Sequence, residues 1–196
     1  MTRIIGGVAG GRRLLAPKGV RTRPTTDRVR EALFSAIESS YGSLAGLRFL
    51  DLYAGTGAVG LEAWSRGAGV VTLVESDRRT AGVIRSNAKE LGFPRAHVVA
   101  ATVASTLVTP PPAPYDLAFL DPPYPLSDDA VSEDIALLVK HGWLVPGALV
   151  VVERSARSPE PVWPDGFTDQ KSKKYGETTL WYGHAASSRD AATAAD

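Results

Sequence analysis

The stretch Arg48-Phe-Leu-Asp-Leu52-Tyr-Ala-Gly55-Thr-Gly57-Ala-Val-Gly60 reads as a short apolar strand that turns through closely spaced glycines straight into a helix. Gly55, Gly57 and Gly60 fall in a Gly-x-Gly-x-x-Gly spacing. Glycine there lets backbone come close to a ligand, and the following helix presents free N–H groups at its first turn. A strand, a glycine turn and a helix in that order open a βαβ unit.

The rest of the chain extends that unit in both directions. Near-continuous apolar runs predict strands at 48–52, 70–75, 97–101, 115–120 and 147–153, and helices fill roughly 58–66, 77–91 and 127–141, with a short one near 103–107. Unbroken apolar strands are expected where helices cover both faces, so the predicted fold is α/β with a doubly wound, mostly parallel sheet. Segments 167–173 and 178–183, joined near Tyr175-Gly176, add an antiparallel terminal hairpin and bring the sheet to seven strands. Pro110-Pro-Pro-Ala-Pro114 reads as a stiff loop. Upstream, Pro24-Thr25-Thr26 opens a helix from Asp27 to about Ser39, with Val29, Leu33, Ala36 and Ile37 on one face and Phe34 beside it. Arg28 and Arg30 are expected to project from its first turns. Residues 1–24 form a basic arm whose pieces Arg3-Ile-Ile and Arg13-Leu-Leu-Ala predict a small β-hairpin around Gly6-Gly7 and Gly10-Gly11. Gly6 and Gly11 have P-loop spacing, but Arg12-Arg13 stand where Lys-Ser/Thr is required, which excludes that reading. The main domain is expected over 25–184. The tail 185–196 lacks large apolar residues and is expected to be disordered.

Composition narrows the function classes. At 196 residues the chain is one ordinary domain with room for its own core. It has no cysteine, so disulfides, thiolate nucleophiles and cysteine-based zinc sites are excluded. His97, His141 and His184 are scattered singly, and no metal site is expected. No signal-peptide core and no membrane-length apolar run is present, so a soluble, cytoplasmic protein is expected. The net charge of +1 hides an asymmetry: residues 1–30 carry eight bases (Arg3, Arg12, Arg13, Lys18, Arg21, Arg23, Arg28, Arg30) against Asp27 alone. The remainder carries fourteen bases and twenty acids. A basic arm on an acidic body predicts a polyanionic partner; the alternative is a solvated N-terminus.

The glycine turn and Glu75, at the end of the next strand and placed to accept from two ribose hydroxyls, fit NAD and S-adenosylmethionine equally. Asp51 tips the balance. A dinucleotide site has no carboxylate four residues before its first glycine, whereas S-adenosylmethionine brings an ammonium and a sulfonium. The competing structural role for Asp51 is to cap the turn backbone.

Asp121-Pro122-Pro123-Tyr124 follows the predicted strand 115–120. Two prolines fix φ twice and remove two donors, leaving a stiff loop whose carbonyls can face a cavity. An exocyclic amine on a base is a poor nucleophile because its lone pair is delocalised. The Asp121 side chain and the Pro122 carbonyl can accept its N–H groups, aim the lone pair and stabilise developing positive charge. Tyr124 offers a face on which a displaced base can stack. Standing alone, the four residues could also be an ordinary strand-to-helix turn.

Together these residues resemble the amino-directed S-adenosylmethionine-dependent methyltransferases. The chain more closely resembles the bacterial RsmD family, which methylates the N2 amine of a guanine in small-subunit ribosomal RNA. The resemblance spans about residues 3–183. It is carried by Arg3-Ile-Ile-Gly-Gly, Gly11-Arg12-Arg13-Leu, Arg23-Pro24-Thr25, Arg28-Val-Arg30-Glu31-Ala-Leu-Phe34, Asp51-Leu-Tyr-Ala-Gly-Thr-Gly57, Ser65-Arg66-Gly67-Ala68 and Leu120-Asp-Pro-Pro-Tyr124. It implies a Rossmann-like class I methyltransferase fold and S-adenosyl-L-methionine held by Asp51, Tyr53, Gly55, Gly57, Glu75, Ser76, Thr102 and Asp121; a monomer is expected separately, because no apolar stripe is left over. It also implies catalysis at Asp121, Pro122, Pro123 and Tyr124, with ribosomal RNA or the assembled small subunit met by Arg3, Arg12, Arg13, Arg21, Arg23, Arg28 and Arg30. After the third strand the family presents Asp or Asn toward the adenine. This chain reads Ala100-Ala101-Thr102-Val103, which leaves that contact to the Thr102 hydroxyl or to backbone N–H groups. Lys171, Lys173 and Lys174 either extend the RNA surface or are ordinary solvated lysines.

Three rivals remain. A DNA adenine or cytosine amino-methyltransferase would need a target-recognition insertion, and none is visible. A dinucleotide-dependent oxidoreductase would leave Asp51 unexplained and lacks a Tyr-Lys pair or catalytic His between 115 and 160. A non-catalytic RNA-binding protein of the same fold would have no need of the intact Pro-Pro-Tyr loop.

Overall fold

A computed structural model describes residues 2–19 and 26–187. The expectations for Arg21, Arg23, Pro24, Thr25 and the tail from 188 onward lie outside the described residues. The chain divides into two compact units, Met1–Thr102 and Val103–Asp196.

The first unit holds α1 (Asp27–Tyr41), β1 (Arg48–Leu52), α2 (Ala58–Ser65), β2 (Val70–Val74), α3 (Arg78–Glu90) and β3 (His97–Val99). Thr26 caps α1 by accepting from Val29 N, and Gly42, at φ +74°, ends it with an N–H to Glu38 O. The α1 face buries Val29, Leu33, Phe34 and Ile37, and Phe34 stacks on Phe49 of β1 with centroids 6.2 Å apart. Asp77 caps α3 by accepting from Thr80 N and Oγ1 at 2.8 and 2.7 Å, bonds that pull its pKa below the ordinary carboxylate value. β1 pairs in parallel with β2, and β2 with β3. β3 stops at Val99, two residues short of the predicted end, because the chain bends at Ala101 toward the next helix.

The second unit holds α4 (Val103–Leu107), β4 (Tyr115–Leu120), α5 (Asp128–Lys140), β5 (Leu144–Ser155), β6 (Thr168–Tyr175) and β7 (Thr178–His184). β4 and β5 run parallel, while β7 pairs antiparallel with both β5 and β6. β5 is longer than its apolar core predicts. Its start pairs Leu144 with Tyr115 and its polar end follows β7 as far as Ser155 opposite Thr178. Gly176, at φ +60°, sits in the hairpin turn. Ala185 and Ala186, placed in the tail by sequence, are held by backbone bonds to Ala148 and Gly147.

The seven strands are mostly parallel and run in the order β3-β2-β1 in the first unit and β4-β5-β7-β6 in the second. Among the described residues no helix is long and apolar enough to cross a membrane.

Candidate active site

The glycine turn joins β1 to α2, and its glycines do different work. Gly60 lets α2 lie close on β2, since a Cβ there would sit 2.6 Å from Leu73 Cδ2. Gly57 takes the left-handed conformation at the N-cap of α2, where no side chain caps the helix. Gly55, also left-handed at φ +57°, has nothing within 4 Å of where a Cβ would stand, so its outer side is open. Tyr53 shares that conformation at φ +62° without being glycine, a strained arrangement costing about 1–2 kcal/mol of the kind that collects at ligand sites.

Two carboxylates flank the turn. Asp51, 1% exposed, accepts from Gly60 N at 2.9 Å. Burial pushes its carboxyl up to about 7; the Gly60 N–H opposes that shift and the nearby charge of Glu75 adds to it. Glu75 accepts from Gly55 N through Oε2 and from Asp77 N through Oε1, each at 2.9 Å. It therefore shapes the turn as well as standing where ribose hydroxyls could meet its remaining lone pairs. Asp51 does act as a backbone cap, and the two readings of it are compatible: a buried, half-neutral carboxyl beside an open turn suits a cation that would ionise it. Ser76 is exposed just after β2, and Thr102 is exposed immediately before α4. An uncapped helix start, an open Gly55 and two carboxylates fit a cationic nucleoside better than a pyrophosphate.

In the second unit, Asp121-Pro122-Pro123-Tyr124 leaves the end of β4. Pro122 is buried and Tyr124 is 77% exposed, its ring presented to solvent. Leu126 N donates to Pro123 O at 2.9 Å, closing the turn, and Ser127 caps α5 by accepting from Ala130 N. Arg154 on β5 ties the far end down, donating to Leu126 O at 3.1 Å and pairing with Asp128 at 2.7 Å. Sequence reading had no signal for Arg154, because a charged residue at a strand end is ordinary until its partners are known.

The arm is docked on the first unit. Its predicted hairpin is reduced to one antiparallel bridge, Arg3 opposite Arg13. Around it the arm bonds to itself, Ile4 N to Arg12 O, Gly11 N to Ile4 O and Leu14 N to Thr2 O, Val8 N donates to Ser65 O, and side chains from α2 and α3 hold it further. Glu62, fully buried, accepts from Ile5 N and Gly6 N at 2.8 Å each, and Ser65 Oγ accepts from Ala9 N at 2.9 Å. Asn87 binds Leu15 on both its N–H and its carbonyl, and Arg12 donates to Glu90 O at the end of α3. Glu62 carries a readable signal, the one charged residue in the otherwise largely apolar sequence of α2. Arg13, Lys18 and Arg28 are exposed, and Arg3 is exposed beside Asp27 at 3.3 Å.

Arg30 departs from expectation. Its side chain is fully buried, donating to Arg3 O at 2.6 Å and pairing with Asp27 at 3.0 Å. It stands at helical spacing with Leu33, Phe34 and Ile37 on the inward face, so it cannot project toward RNA.

The family model described as Conserved hypothetical protein 95 matches residues 2–184. The chain is 37% identical over 175 residues to a curated Escherichia coli K12 protein named Ribosomal RNA small subunit methyltransferase D, covering 89% of this chain and 85% of that one. It is 34% identical to the Haemophilus influenzae protein of the same name over 177 residues, 89% of each. A solved structure described as a putative methyltransferase yhhF from Escherichia coli superposes with a TM-score of 0.84 at 33% identity, over 95% of this chain and 98% of that one.

Proposed function

The chain belongs to the family described as Conserved hypothetical protein 95, and from that premise we propose that it is a methyltransferase acting on the exocyclic N2 amine of a guanine in small-subunit ribosomal RNA. The observation that carries the reading is the intact Asp-Pro-Pro-Tyr loop, with Tyr124 exposed, in a chain 37% identical to a protein named for small-subunit ribosomal RNA methylation. The protein is read as a cytoplasmic monomer.

S-adenosylmethionine, when bound, supplies an electrophilic methyl group on a sulfonium. Asp51 stands ready to balance the donor's positive charge, Gly55 leaves room for it and Glu75 offers acceptors for ribose hydroxyls. Tyr53, Gly57, Ser76 and Thr102 complete the proposed donor shell, with Asp121 at its edge. On the acceptor side, the Asp121 carboxylate and the Pro122 carbonyl take the two N–H groups of the amine, which holds its lone pair in one direction. Both oxygens also stabilise the nitrogen as it becomes positive, so no strong base is needed before attack. The surplus proton leaves afterwards to Asp121 or water. Pro123 keeps the loop from relaxing, and Tyr124 stacks on the base. Arg3, Arg12, Arg13, Arg21, Arg23 and Arg28 are proposed to meet the RNA backbone, with Lys171, Lys173 and Lys174 on the exposed strand β6 as a second basic surface.

Purified protein, radiolabelled S-adenosylmethionine and undermethylated small subunits test this directly. The RNA is digested to nucleosides, and label in N2-methylguanosine is expected. Label in an adenosine or cytidine would keep the chemistry and replace the substrate. Donor binding without any label would leave a binding protein in methyltransferase form.

A further inference from the structure

Asn87 lies near the end of α3 with only 2% of its surface exposed. Its amide serves two other segments of the chain. Oδ1 accepts from Leu15 N at 2.7 Å, and Nδ2 donates to Leu15 O and to Thr56 O, both at 3.1 Å. Leu15 belongs to the basic arm, and Thr56 lies between Gly55 and Gly57 in the donor turn. The amide can face only one way, because turned over its oxygen would meet two carbonyls. One buried side chain therefore holds the backbone of both binding elements.

We propose that Asn87 is a positioning residue that couples RNA engagement by the arm to methyl-donor binding at the turn, so that each ligand tightens the other. The inference rests on the methyltransferase reading above. The turn needs such support: Tyr53, Gly55 and Gly57 all have left-handed φ, at 62°, 57° and 83°. A donor that orders Thr56 orders the Asn87 amide and with it Leu15; RNA that orders the arm does the reverse. Whichever ligand binds second has less left to order. The arm's anchors on α2, Glu62 and Ser65, bond to Ile5, Gly6 and Ala9, outside this bridge. They supply a control that loosens the arm without cutting the link.

The test is equilibrium binding of undermethylated small subunits with and without saturating S-adenosylhomocysteine, and the reciprocal titration. The parent protein should show the same factor in both directions, on the order of five- to tenfold. Asn87→Ala, and the near-isosteric Asn87→Asp that loses both donors, should weaken each separate affinity and bring that factor to within about twofold of unity. Ser65→Ala should weaken subunit binding yet keep most of the factor. In the parent protein, amide hydrogen exchange gives a measurement independent of any variant's folding: S-adenosylhomocysteine should slow exchange at Leu15 N–H. No coupling in the parent, coupling that survives Asn87→Ala, or unchanged exchange at Leu15 each overturns the proposal. A protein that binds neither ligand overturns the methyltransferase reading itself.

Discussion

Replacing Asp51 by asparagine should make the protein more stable and a poorer binder of its methyl donor. The reason is the burial that pushes the Asp51 carboxyl from 3.8 to about 7. At about 1.36 kcal/mol per pKa unit, ionising it in the ligand-free fold costs on the order of 4 kcal/mol relative to the unfolded chain. Because the folded pKa is the higher one, this contribution is fully present below about pH 4 and is lost as the pH climbs to about 7. A cationic donor favours the ionised form, so donor binding should strengthen over the same rise and release a proton. If only the carboxylate form binds, a pKa of about 7 makes binding roughly eightfold weaker at pH 6 than at pH 7.5. The donor's own amino group, with an ordinary value of about 7.7–8.0, stays mostly cationic in that window.

Asparagine keeps an acceptor for Gly60 N and adds a buried NH2 group whose desolvation costs ~1–3 kcal/mol. At pH 7.5 the variant should therefore gain roughly 1–3 kcal/mol in urea unfolding while binding S-adenosylmethionine about tenfold or more weakly, with no pH dependence. Calorimetric titration from pH 6 to 7.5, in buffers of different ionisation enthalpy, reads both the affinity and the proton released. A parent protein with flat affinity and no proton exchange, or an asparagine variant binding as well as the parent at pH 7.5, would refute the reasoning.

Asp121→Ala should lower kcat by about 10²-fold or more, as for loss of one transition-state hydrogen-bonding group, with donor affinity within severalfold by calorimetry. Tyr124→Ala should cost about 1–3 kcal/mol in kcat/KM, the range of one base–aromatic stack, whereas Tyr124→Phe should stay near the parent. Glu62→Ala strands two backbone N–H groups and removes one of the three carboxylates that pair with Arg66, leaving Glu31 and Glu38; at about 1–3 kcal/mol per stranded group, a loss of about 2–6 kcal/mol in urea unfolding is expected. Gly7→Ala would put a Cβ 1.9 Å from Ser65 O at φ +76°, so subunit binding should fall in a filter assay while donor affinity of the free protein holds.

The parallel strands and the helix starts were legible because each rests on local chemistry: unbroken apolar runs, and Thr26, Asp77 and Ser127 each accepting an N–H at a helix start. The true ends of β5 were not, since its polar last residues are extended only because β7 runs beside them. The turn and the Asp-Pro-Pro-Tyr loop could be recognised from residue type and spacing. Arg30 could not be separated from its basic neighbours by charge, although its spacing to Leu33, Phe34 and Ile37 already placed it on the buried face. Helical phase was the better guide than charge there, because a guanidinium with two partners can be buried while its helix keeps its apolar stripe.

Arg30, Glu62 and Asn87 share a single cause. Each is a buried polar residue on a different helix, and each bonds to backbone of the arm: Arg3 O, the N–H groups of Ile5 and Gly6, and both backbone groups of Leu15. Backbone brought against a core must be hydrogen-bonded, and the arm's own bonds, such as Ile4 N to Arg12 O and Leu14 N to Thr2 O, leave these groups of Arg3, Ile5, Gly6 and Leu15 to be met from elsewhere. The three helices supply them. Apolar contact from Ile4, Ala9 and Leu14 holds the arm down, while these three side chains set its course over the surface. A basic segment shaped in advance loses less conformational freedom when it meets RNA than a free tail would. The cost is three buried polar groups, each of which leaves partners unsatisfied when it is removed. Substitutions at all three should therefore weaken RNA binding through the arm's shape, and only Asn87, which also holds Thr56, should carry the effect into the donor turn.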